Sequence, residues 1–148
     1  MGFLIDTCIW IEVERGAAAP ADVAQFTGQA PVFLSPVTLA ELTFGIEMAK
    51  DPAIRLKRAA ALEHLRRKPI LVIDETTGEI FGKLAAQLKI AGRDYLFRIQ
   101  DLWLASQAVQ HGLKLLTQNE KDFVDIPGLD LVAFPIWSAR ARPRYKRP

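Results

Sequence analysis

GFLIDTCIW, residues 2–10, is a run of core-forming side chains with one carboxylate, Asp6, in its middle. An ionised carboxylate beside a core is costly unless a partner neutralises it or hydrogen-bonds to it. Phe3, Leu4 and Ile5 suit a buried strand, and Thr7 begins a short helical pattern that Gly16 stops. Asp6 therefore stands at a strand end, where open α/β sheets place their sites.

The same alternation continues along the chain. VFLS is a second strand, after which Ser35 caps a helix with Pro36 in its first turn, running through VTLAELTFGIEMAK. Residues 17–21 form a loop, and Asp51 and Pro52 open a further helix, AIRLKRAAALEHLRRK. ILVID is a third strand, Asp74 opens a helix through EIFGKLAAQLKIAG, and IQDLWLASQAVQHG is helical up to Gly112. KLLT and LDLVAF make a fourth and a fifth strand. Helices between strands require crossover connections. The expected fold is α/β, a single domain with a mainly parallel central sheet of about five strands and helices on both faces. It spans residues 1–137 and is followed by a basic tail, residues 138–148.

Bulk properties narrow the function. At 148 residues and 50% hydrophobic, the chain suffices for one domain with a sizeable core. No apolar stretch approaches the ~20 residues of a membrane span, and the N-terminus lacks the order of a signal peptide. One cysteine, Cys8, excludes an internal disulfide framework and fits a cytoplasmic protein, where it reads as a small buried hydrophobe. With only His64 and His111 besides, a thiolate or imidazole zinc site is not expected, and any metal would have to be held by oxygen. Five of the nineteen bases lie in the tail, leaving fourteen against seventeen acids, so the body carries a charge of about −3.

Most acids have a local explanation as helix caps, first-turn residues or solvated faces. Asp6, Glu41, Asp101 and Asp122 do not. Glu41 shares a helix face with Thr38 and Gly45, and Asp101 with Ala105 and Ala108, small neighbours that leave room for a cleft. Asp122 follows the fourth strand in LLTQNEKDF, which brings Thr117 and Asn119 to the same rim as Asp6. Carboxylates crowded in one cleft repel unless a hard cation joins them. Mg²⁺, or Mn²⁺ in its place, takes oxygen ligands and engages phosphate oxygens, so phosphoryl transfer on nucleic acid is the natural chemistry of such a set.

FLIDTCIW, LSPVTLAELTFGI, QDLWLASQAVQHGLKLLTQNEKDF and LVAF, in this order, resemble the PIN-domain ribonucleases, specifically the VapC-type toxins of bacterial toxin–antitoxin pairs. The resemblance covers nearly the whole chain. It implies a Mg²⁺-dependent endoribonuclease with Asp6 and Asp101 as metal ligands and Glu41 and Asp122 completing the site. Thr117 and Asn119 match the family's T-x-N, whose hydroxyl and amide orient acids or water. Thr7 and Gln100 are supporting positions, with Gln100 standing where the family usually has Asn. The resemblance also implies a homodimer, a cognate VapB-type antitoxin that inhibits the enzyme, and contact with DNA only through that antitoxin. Candidate dimer contacts are CIWIEVERG and the helix around Phe44, Ile46 and Met48. Arg55, Lys57, Arg58, Arg66, Arg67 and Lys68, together on one helix, are candidate RNA contacts.

A phosphoacceptor receiver domain would need adjacent acids at the first strand end and a Lys ending the last strand, and a haloacid-dehalogenase-type phosphatase would need Asp-x-Asp-x-Thr. The chain has neither pattern. Two alternatives remain: a PIN-fold binding partner in an antitoxin–DNA repressor complex with little nuclease activity, and a DNA-directed or flap-type nuclease, which shares the metal logic.

Overall fold

The computed structural model describes residues 1–135 of the chain. Four strands, β1 (Phe3–Ile5), β2 (Val32–Phe33), β3 (Lys114–Thr117) and β4 (Asp130–Ala133), form one parallel sheet in the order β2-β1-β3-β4. The helices are α1 (Thr7–Glu14), α2 (Pro20–Thr27), α3 (Pro36–Glu47), α4 (Pro52–Leu65), α5 (Glu75–Ile90) and α6 (Ile99–His111). Two 3₁₀ turns, Leu96–Arg98 and Glu120–Asp122, lead into α6 and out of β3.

The period of two along each strand divides the core between the sheet's faces. Leu4 and Leu115 join Leu84 and Leu88 of α5 and Leu102 and Leu104 of α6. Phe3, Ile5 and Leu116 join Ile9 of α1, Val23 of α2 and Phe134. Both faces are thus covered, as a parallel sheet requires. Each fully buried Leu or Ile contributes about 1.5–3 kcal/mol, so these few strand residues anchor the sheet despite its short strands. Gly2 permits one close approach: a Cβ there would lie 2.9 Å from the Phe33 ring and 3.0 Å from the Pro31 carbonyl oxygen.

Ser35, Asp51 and Asp74 cap α3, α4 and α5, each accepting a hydrogen bond from a first-turn backbone N–H. Three expectations need correction. The sheet has four strands, because ILVID makes only an isolated bridge, Leu34 to Ile70. Its partner ends there, since Ser35 turns the chain into α3, and Val72 is left exposed. The loop expected at 17–21 gives way at Pro20 to α2, which begins without a polar cap; the Asp22 carboxylate instead accepts the Ala19 N–H at 2.7 Å. The basic run is not all on one helix, for α4 ends at Leu65, ahead of Arg66, Arg67 and Lys68. The boundary expected after residue 137, and the tail, lie outside the described residues. Among the described residues no helix is long and apolar enough to cross a membrane.

Candidate active site

β1 and β3 are central neighbours, with β2 beside one and β4 beside the other, so the strand order reverses between them. Their carboxyl ends carry Asp6 and Thr117. Asp6 is only 3% exposed, and its backbone N–H donates to the Leu116 carbonyl at 2.9 Å, extending the pairing of Ile5 with Leu116. The fully buried Thr117 hydroxyl donates to Asp6 Oδ2 at 2.8 Å and accepts the Asn119 backbone N–H at 3.0 Å. Cys8 Sγ lies 3.4 Å from the same Oδ2. These donors make the buried carboxylate tolerable, because hydrogen bonds to the charged form favour it.

Glu41 reaches this end from α3. The buried Thr7 hydroxyl donates to Glu41 Oε1 at 3.2 Å and also meets the Thr38 hydroxyl at 3.0 Å. Thr38 and Glu41 are three apart and share a helix face, so one α3 face is tied to the first residue of α1. A second tie fixes the start of α3. The Ser35 hydroxyl, which accepts the Val37 N–H, donates to Gln107 Oε1 of α6 at 2.5 Å. The Gln107 amide in turn donates to the Leu71 carbonyl at 3.2 Å.

Asp101 lies in the first turn of α6, and Asp122 ends the 3₁₀ turn after β3. Arg98 stands between them. Its guanidinium bonds both oxygens of Asp125, at 2.7 and 2.9 Å, and also donates to the Asp122 backbone carbonyl. The bond to Asp125 raises the Arg98 pKa, with smaller contributions from the charges of Asp101 and Asp122. The same bond holds the Asp125 carboxyl below its ordinary value against the opposing effect of burial.

The other candidate residues differ in burial and contacts. Ala105 and Ala108 are fully buried in the core and line no cleft. The contact of Asn119 with Thr117 is made by its backbone, not its amide. Gln100 is exposed. Four of the six candidate RNA contacts are engaged within the chain. Arg55 pairs with Glu47 at 3.0 Å, Arg58 donates to the Gly45 carbonyl, Arg66 lies 3.8 Å from Glu63, and Lys68 sits over the Trp10 ring. Phe44 and Met48 are 53% and 61% exposed, so neither has a core role. They line a groove of about 540 Å³ with Trp10, Val13, Val23 and Leu42, and Glu41 forms part of its wall.

Arg98 was not singled out in the sequence; it is the residue that precedes α6, three positions before Asp101. Among the described residues no three acids, cysteines or histidines form a closed cluster for an ion. A hard divalent cation still fits the residues at this end, since Asp6 offers a carboxylate at the end of β1, Glu41 is linked to the adjacent Thr7, and Mg²⁺ keeps several waters while taking only one or two carboxylates.

The family model for the PIN domain matches residues 3–129. The protein named Ribonuclease VapC1 from Rickettsia felis is 33% identical over 137 residues, covering 89% of this chain and 96% of its own. The fold is similar to that in the crystal structure of VapBC2 from Rickettsia felis bound to a DNA fragment from their promoter, with a TM-score of 0.79 at 22% identity over 91% of this chain and all of that one. It is also similar to VapBC-1 from nontypeable Haemophilus influenzae, with a TM-score of 0.75 at 27% identity over 90% of this chain and 98% of that one. The sheet order and these similarities agree, and the chain belongs to the PIN domain family, among its VapC members.

Proposed function

We propose that this protein is a Mg²⁺-dependent endoribonuclease that acts as the toxin of a toxin–antitoxin pair in the cytoplasm. The observation that carries the reading is the Asp6 carboxylate, buried at the switch point, held by the Thr117 hydroxyl and linked through the adjacent Thr7 to Glu41. Asp6 and Asp101 would hold the cation, with Glu41 and Asp122 completing the site. The chemistry that such an ion supplies is Lewis-acid polarisation of a phosphate oxygen and a lowered pKa for a water. Glu41, oriented by the Thr7 hydroxyl, takes the proton of the attacking water. Thr117 aims Asp6 through the bond from its hydroxyl.

The partner is a VapB-type antitoxin. Support comes from the groove, whose apolar walls suit an amphipathic segment and whose Glu41 edge brings that segment to the acids. The two similar solved structures described above are VapBC complexes, one of them bound to a promoter DNA fragment. The protein would act as a homodimer and meet DNA only through the antitoxin.

The test is cleavage of mixed structured RNAs by purified protein with Mg²⁺, with EDTA, and with Asp101→Asn. Cutting that needs the metal and is lost in the variant is expected. Equal cutting by parent and variant would overturn the site, and no cutting by folded protein would favour a repressor partner without nuclease activity.

A further inference from the structure

Arg98 is a long cation whose side chain is only 20% exposed, and its counterion Asp125 is 16% exposed. Asp125 is not one of the four acids of the proposed site, and a surface ion pair would not need burying. What distinguishes this pair is what it joins. Arg98 stands where the 3₁₀ turn Leu96–Arg98 meets α6, three residues before Asp101. Asp125 and the Asp122 carbonyl belong to the segment after β3. The fork of a guanidinium can hold a carboxylate through two parallel bonds, and a third N–H is used on the Asp122 backbone.

We propose that Arg98 is a positioning residue, whose three-point grip on Asp122 and Asp125 fixes the spacing between Asp101 and Asp122. The inference rests on the four-acid metal site proposed above. It carries a sign that a purely electrostatic role would not. Arg98 is a cation close to two acids that would hold another cation, so on Coulomb's law alone its removal tightens metal binding. As a positioning residue, its removal loosens the acids and weakens binding. A lysine at this place retains the charge but cannot make the bidentate grip.

The experiment is Mn²⁺ titration, followed by the loss of the free-ion electron paramagnetic resonance signal, on the parent, Asp101→Asn, Arg98→Lys and Arg98→Ala. Circular dichroism melts accompany each. The expected result is that folded Arg98→Lys binds Mn²⁺ about 10–100-fold more weakly than the parent, as loss of a group that orients a metal ligand usually does. Arg98→Ala should weaken binding at least as much. If either binds as tightly as the parent or tighter, the inference is overturned, even where the melting temperature falls, because that pattern marks a structural or electrostatic role. If the parent binds no Mn²⁺, or Asp101→Asn binds it equally well, the site itself is refuted and this inference with it. That outcome is distinct from one in which Asp101→Asn loses binding and Arg98→Lys retains it. Should Arg98→Ala not fold, Arg98→Lys decides alone: weaker binding is expected, and unchanged or tighter binding overturns the inference.

Discussion

The hydroxyl of Thr117 is a buried donor aimed at Asp6, so Thr117→Val removes that bond and little volume. The cost is a buried carboxylate short of a donor, about 1–3 kcal/mol. Urea unfolding in EDTA should show the loss, and Thr117→Ser should recover most of it. A stability equal to the parent's would mean that Thr117 does not support Asp6. Asp125 carries a pH dependence. Its folded carboxyl lies below the ordinary value because Arg98 donates to it. The pair's stabilisation is therefore fully present above the ordinary carboxylate pKa of about 4 and is lost as pH falls through the lower folded value. Urea midpoints taken from pH 6 down to pH 3 should fall less steeply in Asp125→Asn than in the parent, and parallel curves would contradict this. Asp6 was legible because a carboxylate in an apolar strand demands a reason. Arg98 was not, because a lone arginine reads as solvated, and its burial depends on a carboxylate 27 residues later in the chain. The bond from Thr7 to Glu41 spans 34 residues and leaves no trace in local pattern.

At the level of elements, caps and stops were legible and pairing was not. Ser35, Asp51 and Asp74 mark helix starts by short side chains that bond the adjacent backbone, an interaction local enough to read from sequence. α2 escaped because Ala19 offers no cap, though Pro20 in the first position and Asp22 two residues later were the available signal. ILVID has the composition of a strand, yet a strand needs a neighbour, and the neighbour turns into a helix at Ser35. Where a backbone partner is missing, the Gln107 side chain takes over by donating to the Leu71 carbonyl. Gln107 is completely buried and bridges this segment to the α3 cap. Gln107→Leu should cost about 1–3 kcal/mol for the groups left unpaired, measured by urea unfolding, and should also weaken Mn²⁺ binding by loosening the helix that carries Glu41. A stable variant with normal binding would mean that the start of α3 is fixed by other contacts. Gly112 ends α6 in the left-handed region, with φ 61° and ψ 34°, immediately ahead of β3. Gly112→Ala should cost about 1–2 kcal/mol for the same reason that left-handed helices are rare.

Across the whole molecule, the proposed substrate is a polyanion and the body of the chain is acidic by about three charges. The four acids of the proposed site would repel an incoming strand unless a cation is present, so affinity has to come from bases elsewhere. The folded chain divides the six candidates unequally. Arg55, Arg58, Arg66 and Lys68 are engaged with Glu47, the Gly45 carbonyl, Glu63 and Trp10, whereas Lys57 and Arg67 are exposed with no ion pair among the described residues. A base already engaged must give up its partner before it meets a phosphate, so Lys57 and Arg67 should contribute most per residue. Each phosphate contact to a single strand steepens the dependence of log affinity on log salt by about 0.7. With cleavage blocked by Asp101→Asn, adding Lys57→Ala and Arg67→Ala together should therefore flatten that slope by about 1.4, with little change in melting temperature. Arg58→Ala should do the reverse, lowering the melting temperature through its lost bond to α3 while leaving the slope nearly as it was. If the double variant retains the full slope, the α4 end is not the phosphate-binding face, and the basic run serves to brace α3 against α4.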